Sequence, residues 1–375
     1  MELILNIKVA ICKINMKFMQ SMIVILLFIY IPLANAQTNS KQGIITSYIE
    51  LDTRETFNMK SIYVNIDGRD FVVFESISDY NFKSISLKII ELNISKNYKL
   101  KAQPYKEFST GKKYNSLAGI AKLKDSVWLY FTVSNSYGSK AILMKARLTS
   151  TGLLKDMTKV NFDAELIGGS NPHLNFVDNK YTFAYITAEC CDLAYATSDD
   201  GISFNTMGSM GINGAMPAIA SFDDDALIYN YQRGYRTDKF RKNGKPISVM
   251  KSRFIISKDN GNNWGAANIV SDSFDEIHDA FPYKRKDGNI DIYYSHALHR
   301  ENDNFSLWRR CVNSNGLVGK EELVIGKSMG NIAKPNLYAR DDGSTALMFI
   351  EQGEDIKNGA IQYFSVIKQD ADCHH

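Results

Sequence analysis

Between residues 67 and 350 the chain repeats one pattern: a polar turn, then a short apolar run rich in β-branched and aromatic residues. The turns are Asp67-Gly68, Lys124-Asp125, Asp178-Asn179, Asp223-Asp224, Asp287-Gly288 and Asp342-Gly343, and the runs after them are 71–74, 127–133, 181–187, 227–231, 290–294 and 346–350. Asp, Asn and Gly tolerate the left-handed backbone of a tight hairpin, so each turn is expected to join two strands. A second turn follows in five units, near Lys96, Ser150, Asp199, Asp259 and Ser314. A proline-containing segment precedes the first turn in four: Asn171-Pro172-His173-Leu174, Met216-Pro217-Ala218-Ile219, Phe281-Pro282-Tyr283 and Lys334-Pro335-Asn336-Leu337. The mean spacing of 55 residues suffices for four strands and their loops. Four strands repeated six times predict an all-β fold, a six-bladed β-propeller whose sheets bury their faces against one another. The last unit stops after a third strand at 361–367, whereas a β-rich piece at 44–51 precedes the first. The N-terminal strand is therefore expected to close the last blade.

Composition narrows the class. The 375 residues are 45% hydrophobic and 23% charged, too apolar for a disordered chain, and seven prolines with 24 glycines exclude a collagenous one. Lys8, Lys13 and Lys17 precede an apolar run from Met22 to Leu33 that ends in Ala34-Asn35-Ala36. This is the pattern of a signal peptide, too short for a permanent membrane span. Residues 1–36 are expected to be removed, leaving 37–375 as a single propeller domain, secreted or periplasmic. Removal takes three lysines and one glutamate from the 44 basic and 41 acidic residues, leaving 41 against 40. That balance argues against a nucleic-acid partner. Cys190, Cys191, Cys311 and Cys373 remain, with three possible pairings, and Cys373-His374-His375 reads as a frayed end. No Cys or His spacing suggests a metal site, and no cofactor is expected.

Two of the second turns share a finer pattern. Thr197-Ser198-Asp199-Asp200-Gly201-Ile202-Ser203-Phe204 and Ser257-Lys258-Asp259-Asn260-Gly261-Asn262-Asn263-Trp264 both read Ser/Thr-x-Asp-x-Gly-x-x-aromatic. The Asp carboxylate is suited to accept from turn amides, the Gly to supply positive φ, and the ring to pack beneath. These turns resemble the Asp-box, or BNR repeat, of the sialidase (neuraminidase) superfamily. The resemblance implies a propeller in which Asp199, Gly201, Phe204, Asp259, Gly261 and Trp264 are structural.

It also implies three arginines around an anionic sugar, since forked guanidinium donors orient a carboxylate. The first falls at Asn58, in Phe57-Asn58-Met59-Lys60, so this position departs from the family. Arg233 and Arg300 are counterparts of the other two, with Arg236 a substitute. Lys334-Pro335-Asn336-Leu337 stands where the family tyrosine nucleophile is expected and Met216-Pro217 near its glutamate, so neither catalytic residue is matched. The expected site is the face formed by the loops leading into the innermost strands and those joining second to third strands. It carries His173, Glu276, His278, Asp279 and Lys334, with the long cationic segment 233–245 as a candidate lid.

Three functions fit. The leading expectation is a glycoside hydrolase acting on an acidic glycan, with Asp279 or Glu276 as proton donor and Arg233, Arg236, Arg300, Asn58 and Lys334 around the substrate. The alternatives are a lyase of uronate polymers, with His173 or His278 as base, and a monomeric propeller that binds glycan without catalysis.

Overall fold

In the computed structural model of the chain, the described residues are 48–51, 57–77, 84–94, 100–102, 106–123, 125–187, 192–240, 246–272, 276–297, 305–326, 331–352, 360–367 and 373. The leader 1–36, Cys190, Cys191 and Arg300 lie outside them. Every regular element among them is a β-strand, and no helix long and apolar enough to cross a membrane occurs there.

The strands fall into six successive antiparallel units. After β1 (Ile49–Glu50), the first unit is β2 (Phe57–Ile66), β3 (Arg69–Ile77) and β4 (Ile85–Ile94), edged by β5 (Leu100–Ala102) and β6 (Lys106–Phe108). The second is β7 (Tyr114–Leu123), β8 (Ser126–Ser134), β9 (Lys140–Leu148) and β10 (Leu154–Lys159). Two short links, β11 (Asn161–Phe162) and β12 (Leu166–Ile167), lead to the third, β13 (His173–Val177), β14 (Lys180–Ile186), β15 (Asp192–Ser198) and β16 (Ser203–Asn213). The fourth is β17 (Ala215–Ser221), β18 (Leu227–Phe240), β19 (Pro246–Ser257) and β20 (Asn268–Ile269). The fifth is β21 (Glu276–Lys284), β22 (Ile290–Ala297), β23 (Ser306–Val312) and β24 (Val318–Ile325), and the sixth β25 (Asn331–Ala339), β26 (Thr345–Gln352) and β27 (Ala360–Ile367). The missing strand of the sixth comes from the N-terminal side: β1 pairs antiparallel with β27, Ile49 opposite Phe364.

The turns account for the register. At Asp67-Gly68 and Asp178-Asn179 both central residues have positive φ, the geometry whose twist matches the flanking strands. The core sits between sheets. Ile62, Val73 and Leu87 of the first unit pack with Leu117, Leu129 and Phe131 of the second, and an equivalent cluster lies at each later boundary. Tyr63, Val72 and Phe74 meet Met348 and Phe364 where the sixth unit abuts the first. Inner β3 is buried on both faces from Asp70 to Ile77, with an apolar run at Phe71 to Phe74, whereas outer β10 is exposed along most of its length.

The two patterned turns also join neighbouring units. Tyr130 Oη of β8 donates to the Gly201 carbonyl at 2.8 Å, and Tyr195 Oη of β15 to the Gly261 carbonyl at 2.6 Å. Both glycines have positive φ, and a Cβ on either would collide with that tyrosine. In the second turn Asp259 accepts from the Asn263 amide at 2.8 Å, as expected, and Trp264 packs on Tyr195 and Tyr229. In the first, Phe204 is buried, but the accepting carboxylate belongs to Asp200, bonded to the Ile202 and Ser203 amides. The assignment to Asp199 is thus corrected by one residue. The turn there is shorter: the Gly201 amide reaches Ser198 Oγ three residues back, whereas the Gly261 amide reaches Ser257 Oγ four back.

Cys311 on β23 is bridged to Cys373, with Cα atoms 5.7 Å apart, so Cys373 is tied down rather than frayed. The bridge closes a 62-residue separation, and the chain-entropy relation gives such a loop about 4 kcal/mol. Reduction, or Cys373→Ser, is expected to cost about 2–4 kcal/mol, read as a lower denaturation midpoint with an otherwise unchanged transition.

Candidate functional site

The first strands of the six units, β2, β7, β13, β17, β21 and β25, contact one another in chain order, and β25 lies against β2. Near its start β2, β7, β17, β21 and β25 each slip register by one extra residue: between Asn58 and Ser61, Leu117 and Gly119, Ala215 and Ala218, His278 and Phe281, and Ala333 and Asn336. These are β-bulges, which kink a strand and re-aim its side chains. A bulged residue has no ladder partner, which is why Pro217 and Pro335 are tolerated inside strands. At three bulges, and just before β13, a non-glycine residue adopts left-handed backbone: Met216 (φ 52°), Asp279 (φ 52°), Lys334 (φ 54°) and Asn171 (φ 50°). Residues held this way concentrate at functional sites. All four line one pocket, together with Lys60, His173 and Asn336.

The charges in this pocket are interlocked. Lys334 Nζ and Asp279 Oδ1 are 2.6 Å apart and largely shielded from solvent. Burial opposes ionisation of Asp279, but Lys334 and His278 overcome it and hold the carboxyl below its ordinary range. Lys60 reaches from β2 to two neighbouring units, its Nζ donating to the Ala118 carbonyl at 3.0 Å and the Pro172 carbonyl at 2.6 Å. Desolvation lowers its pKa to about 7, with Glu75 acting against the shift and Lys334 adding to it. Glu75 is fully buried and is pushed upward by desolvation, although its Oε1 accepts from Ser116 Oγ at 3.0 Å and the Leu117 amide at 2.6 Å. His173 Nδ1 accepts from the Ile219 amide at 3.2 Å, which leaves Nε2 protonated. Burial and Lys60 keep that ring neutral, its pKa well below the usual value.

The structure therefore brings Asp279, His173 and Lys334 together. Glu276 and His278 lie on the same strand as Asp279 but outside the pocket lining; buried Glu276 bonds His278 Nε2 at 2.7 Å. Arg233 is exposed on β18, past Gln232, the last residue of that strand to pair with β17. Of the segment 233–245, residues 233–240 belong to β18, which pairs with β19 as far as Phe240 opposite Pro246 and so forms a two-stranded arm; 241–245 lie outside the described residues. Arg236 stands on that arm opposite Ser248 and Asn58 on β2 opposite Ser76; neither side chain is described. In the fifth unit the segment equivalent to Met216-Pro217 is Asp279-Ala280, not Phe281-Pro282, because the bulge precedes Phe281. Lys60 and Glu75 escaped the sequence reading. Aligning the bulges, with Lys60 opposite Pro172, Pro217 and Pro335, is the signal that finds Lys60.

No protein-family model and no curated protein matches the sequence. Among solved structures it is similar to a protein of unknown function from Dyadobacter fermentans, at 9% identity and TM-score 0.62, over 86% of this chain and 98% of that one. It is also similar to an α-L-arabinofuranosidase from Fusarium graminearum in complex with an iminosugar inhibitor, at 13% identity and TM-score 0.58, over 87% and 98%. A third is a leech intramolecular trans-sialidase, at 11% identity and TM-score 0.58, over 87% and 70%. The chain has the sialidase-like propeller fold. At these identities the likeness extends to fold alone.

Lys60 gives this site a signature in stability. Its folded pKa of about 7 lies below the ordinary 10.5, so between those values the unfolded chain binds more protons and stability rises with pH. Chemical denaturation from pH 7 to 10 is expected to show wild type gaining stability relative to Lys60→Met, whereas parallel profiles contradict the assignment.

Proposed function

We propose that the chain is a glycoside hydrolase of the propeller type that acts on an anionic glycan at this axial pocket. The observation that carries the reading is the convergence of Asp279, Lys60, Lys334, His173, Asn171 and Asn336 on one opening, supplied by four of the first strands and the residues leading into one of them. Propeller glycosidases among the structural neighbours support the same class. Asp279, kept ionised by Lys334, is assigned the anionic role at the anomeric carbon, either attacking it or activating water. That state does not suit the proton-donor role expected of it. The lysines supply the positive charge that the resemblance assigns to arginines, and the asparagines supply neutral hydrogen bonds. Glu276, turned toward His278, is assigned to positioning, and Arg233 to the more distal part of a long glycan. Arg236, Arg300 and Asn58 keep the substrate-contact role implied by the resemblance. His173 does not suit a lyase base, because its acceptor nitrogen is occupied by the Ile219 amide. The leader-like N-terminus and the Cys311–Cys373 bridge support an oxidising, extracytoplasmic location.

One observation favours binding without catalysis. Among the described residues that line the pocket, Asp279 is the single carboxylate, and it is already paired with Lys334. Product mass spectrometry on sialosides, uronate polymers and neutral glycans separates the readings. Hydrolysis predicts an acidic product that has gained one water, and a loss of at least about a hundredfold in rate in folded Asp279→Asn. Retained glycan binding with no product from any substrate supports the second reading.

A further inference from the structure

Among the described residues, the lysines and carboxylates that line the pocket are Lys60, Lys334 and Asp279. Lys334 and Asp279 balance each other at 2.6 Å. Lys60 is left with the carbonyls of Ala118 and Pro172, two acceptors for its amino group. A neutral amine carries two hydrogens and is satisfied by these; an ammonium carries a third, which needs another acceptor. From the geometry of this opening we propose that the pocket receives a carboxylate of its ligand between Lys60 and Lys334, and that Lys60 takes up one proton as the carboxylate enters. The inference rests on reading the pocket as a glycan site and names the group recognised there.

The surroundings of Lys60 fit such coupling. From β3 it faces Glu75, whose Oε1 is held by Ser116 and Leu117 and whose buried Oε2 has no hydrogen-bond partner among the described residues but does not reach Lys60 as an ion pair. From β25 it feels Lys334, and from the start of β13 it acts on His173, whose ring stays neutral. From β21 Asp279 compensates Lys334 rather than Lys60. Desolvation and Lys334 both oppose the ammonium form, and burial opposes the ionised Glu75 that would favour it. An incoming carboxylate supplies the missing negative charge and the third acceptor. The His173 Nε2 hydrogen is available as a further donor, since Nδ1 is engaged with Ile219. No bond between heavy atoms changes: one proton passes from a solvent hydronium or buffer acid to the Lys60 amine, an N–H bond forming as the donor's bond to that proton breaks, and the resulting ammonium pairs with the ligand carboxylate.

The test is calorimetric titration of the full chain with D-galacturonate and N-acetylneuraminate, using D-galactose as the neutral counterpart. Runs near pH 7 use buffers of different ionisation enthalpy. The expected result is binding of a carboxylated sugar with net proton uptake, an affinity that falls by up to about tenfold per pH unit above 7, and much weaker binding of galactose. In Lys60→Arg, which keeps its charge throughout this range, the carboxylated sugar is expected to bind without proton uptake and with a flat pH profile. If that variant does not fold, the 13Cε resonance of Lys60 in the wild-type protein serves instead, with a titration midpoint expected to rise on adding the sugar. Binding without proton uptake, equal binding of galactose, an unmoved Lys60 midpoint, or no binding of either carboxylated sugar by the folded protein overturns the inference. Hydrolysis without proton uptake sinks it alone and spares the hydrolase reading. Proton-coupled binding without product spares it and favours the non-catalytic reading.

Discussion

Crowding of the first strands around the axis is the constraint on which this structure turns. The first strands of the six antiparallel units contact one another in chain order, and β2, β7, β17, β21 and β25 each carry a bulge near the end at which they start. On β2, β17, β21 and β25 bulged residues line the opening, whereas Ala118 of β7 stays in the core between the second and third units. Left-handed backbone at Asn171, Met216, Asp279 and Lys334 costs on the order of 1–2 kcal/mol each, and the hydrophobic clusters between units offset it. Because Met216, Asp279 and Lys334 stand at bulges and face one pocket with Asn171, the bulges that let the first strands meet also help to build the site.

Electrostatics then decides what that site is able to do. Asp279 is ionised because Lys334 is beside it, and Lys60 is poised between two states because burial and Lys334 oppose its charge. The same opening thus holds a carboxylate kept negative and an amine close to neutrality. Glu75 sits behind Lys60 and is held by the backbone and hydroxyl of the next unit, so the charge state of the pocket is tied to the packing of the first two units. Tyr130 and Tyr195, bonded to the turn carbonyls of Gly201 and Gly261, fix neighbouring units to one another.

Much of the fold was legible in the sequence because hairpin turns and two-sided burial leave local signatures. The turns at Asp67-Gly68 and Asp178-Asn179, the apolar run of β3 and the N-terminal strand added to β27 all fall where polar and apolar spacing put them. A bulge leaves no such mark, since one extra residue does not disturb an apolar run. Apolar spacing therefore matches Met216-Pro217 to Phe281-Pro282, two residues past its structural equivalent Asp279-Ala280, and points to Asn58 rather than Lys60 on β2. Asp279, His173 and Lys334 were found because they adjoin the repeated segment before each first turn. Asp199 alone meets the Asp-x-Gly spacing of the pattern, but the turn starts at Ser198 and is one residue shorter, so Asp200 accepts the turn amides, and turn length is a tertiary outcome. The Cys311–Cys373 pairing likewise depends on where the C-terminal residues return.

Hydrogen–deuterium exchange with and without a bound carboxylated oligosaccharide tests the central claim most directly, that the bulged ends of the first strands form the recognition site. Protection is expected around Lys60, Asn171 to His173, Met216 to Ala218, Asp279 to Phe281 and Lys334 to Asn336, segments distant in sequence that share one pocket. Protection confined to the outer strands β10, β16, β20 and β24, with none in these segments, would contradict the account.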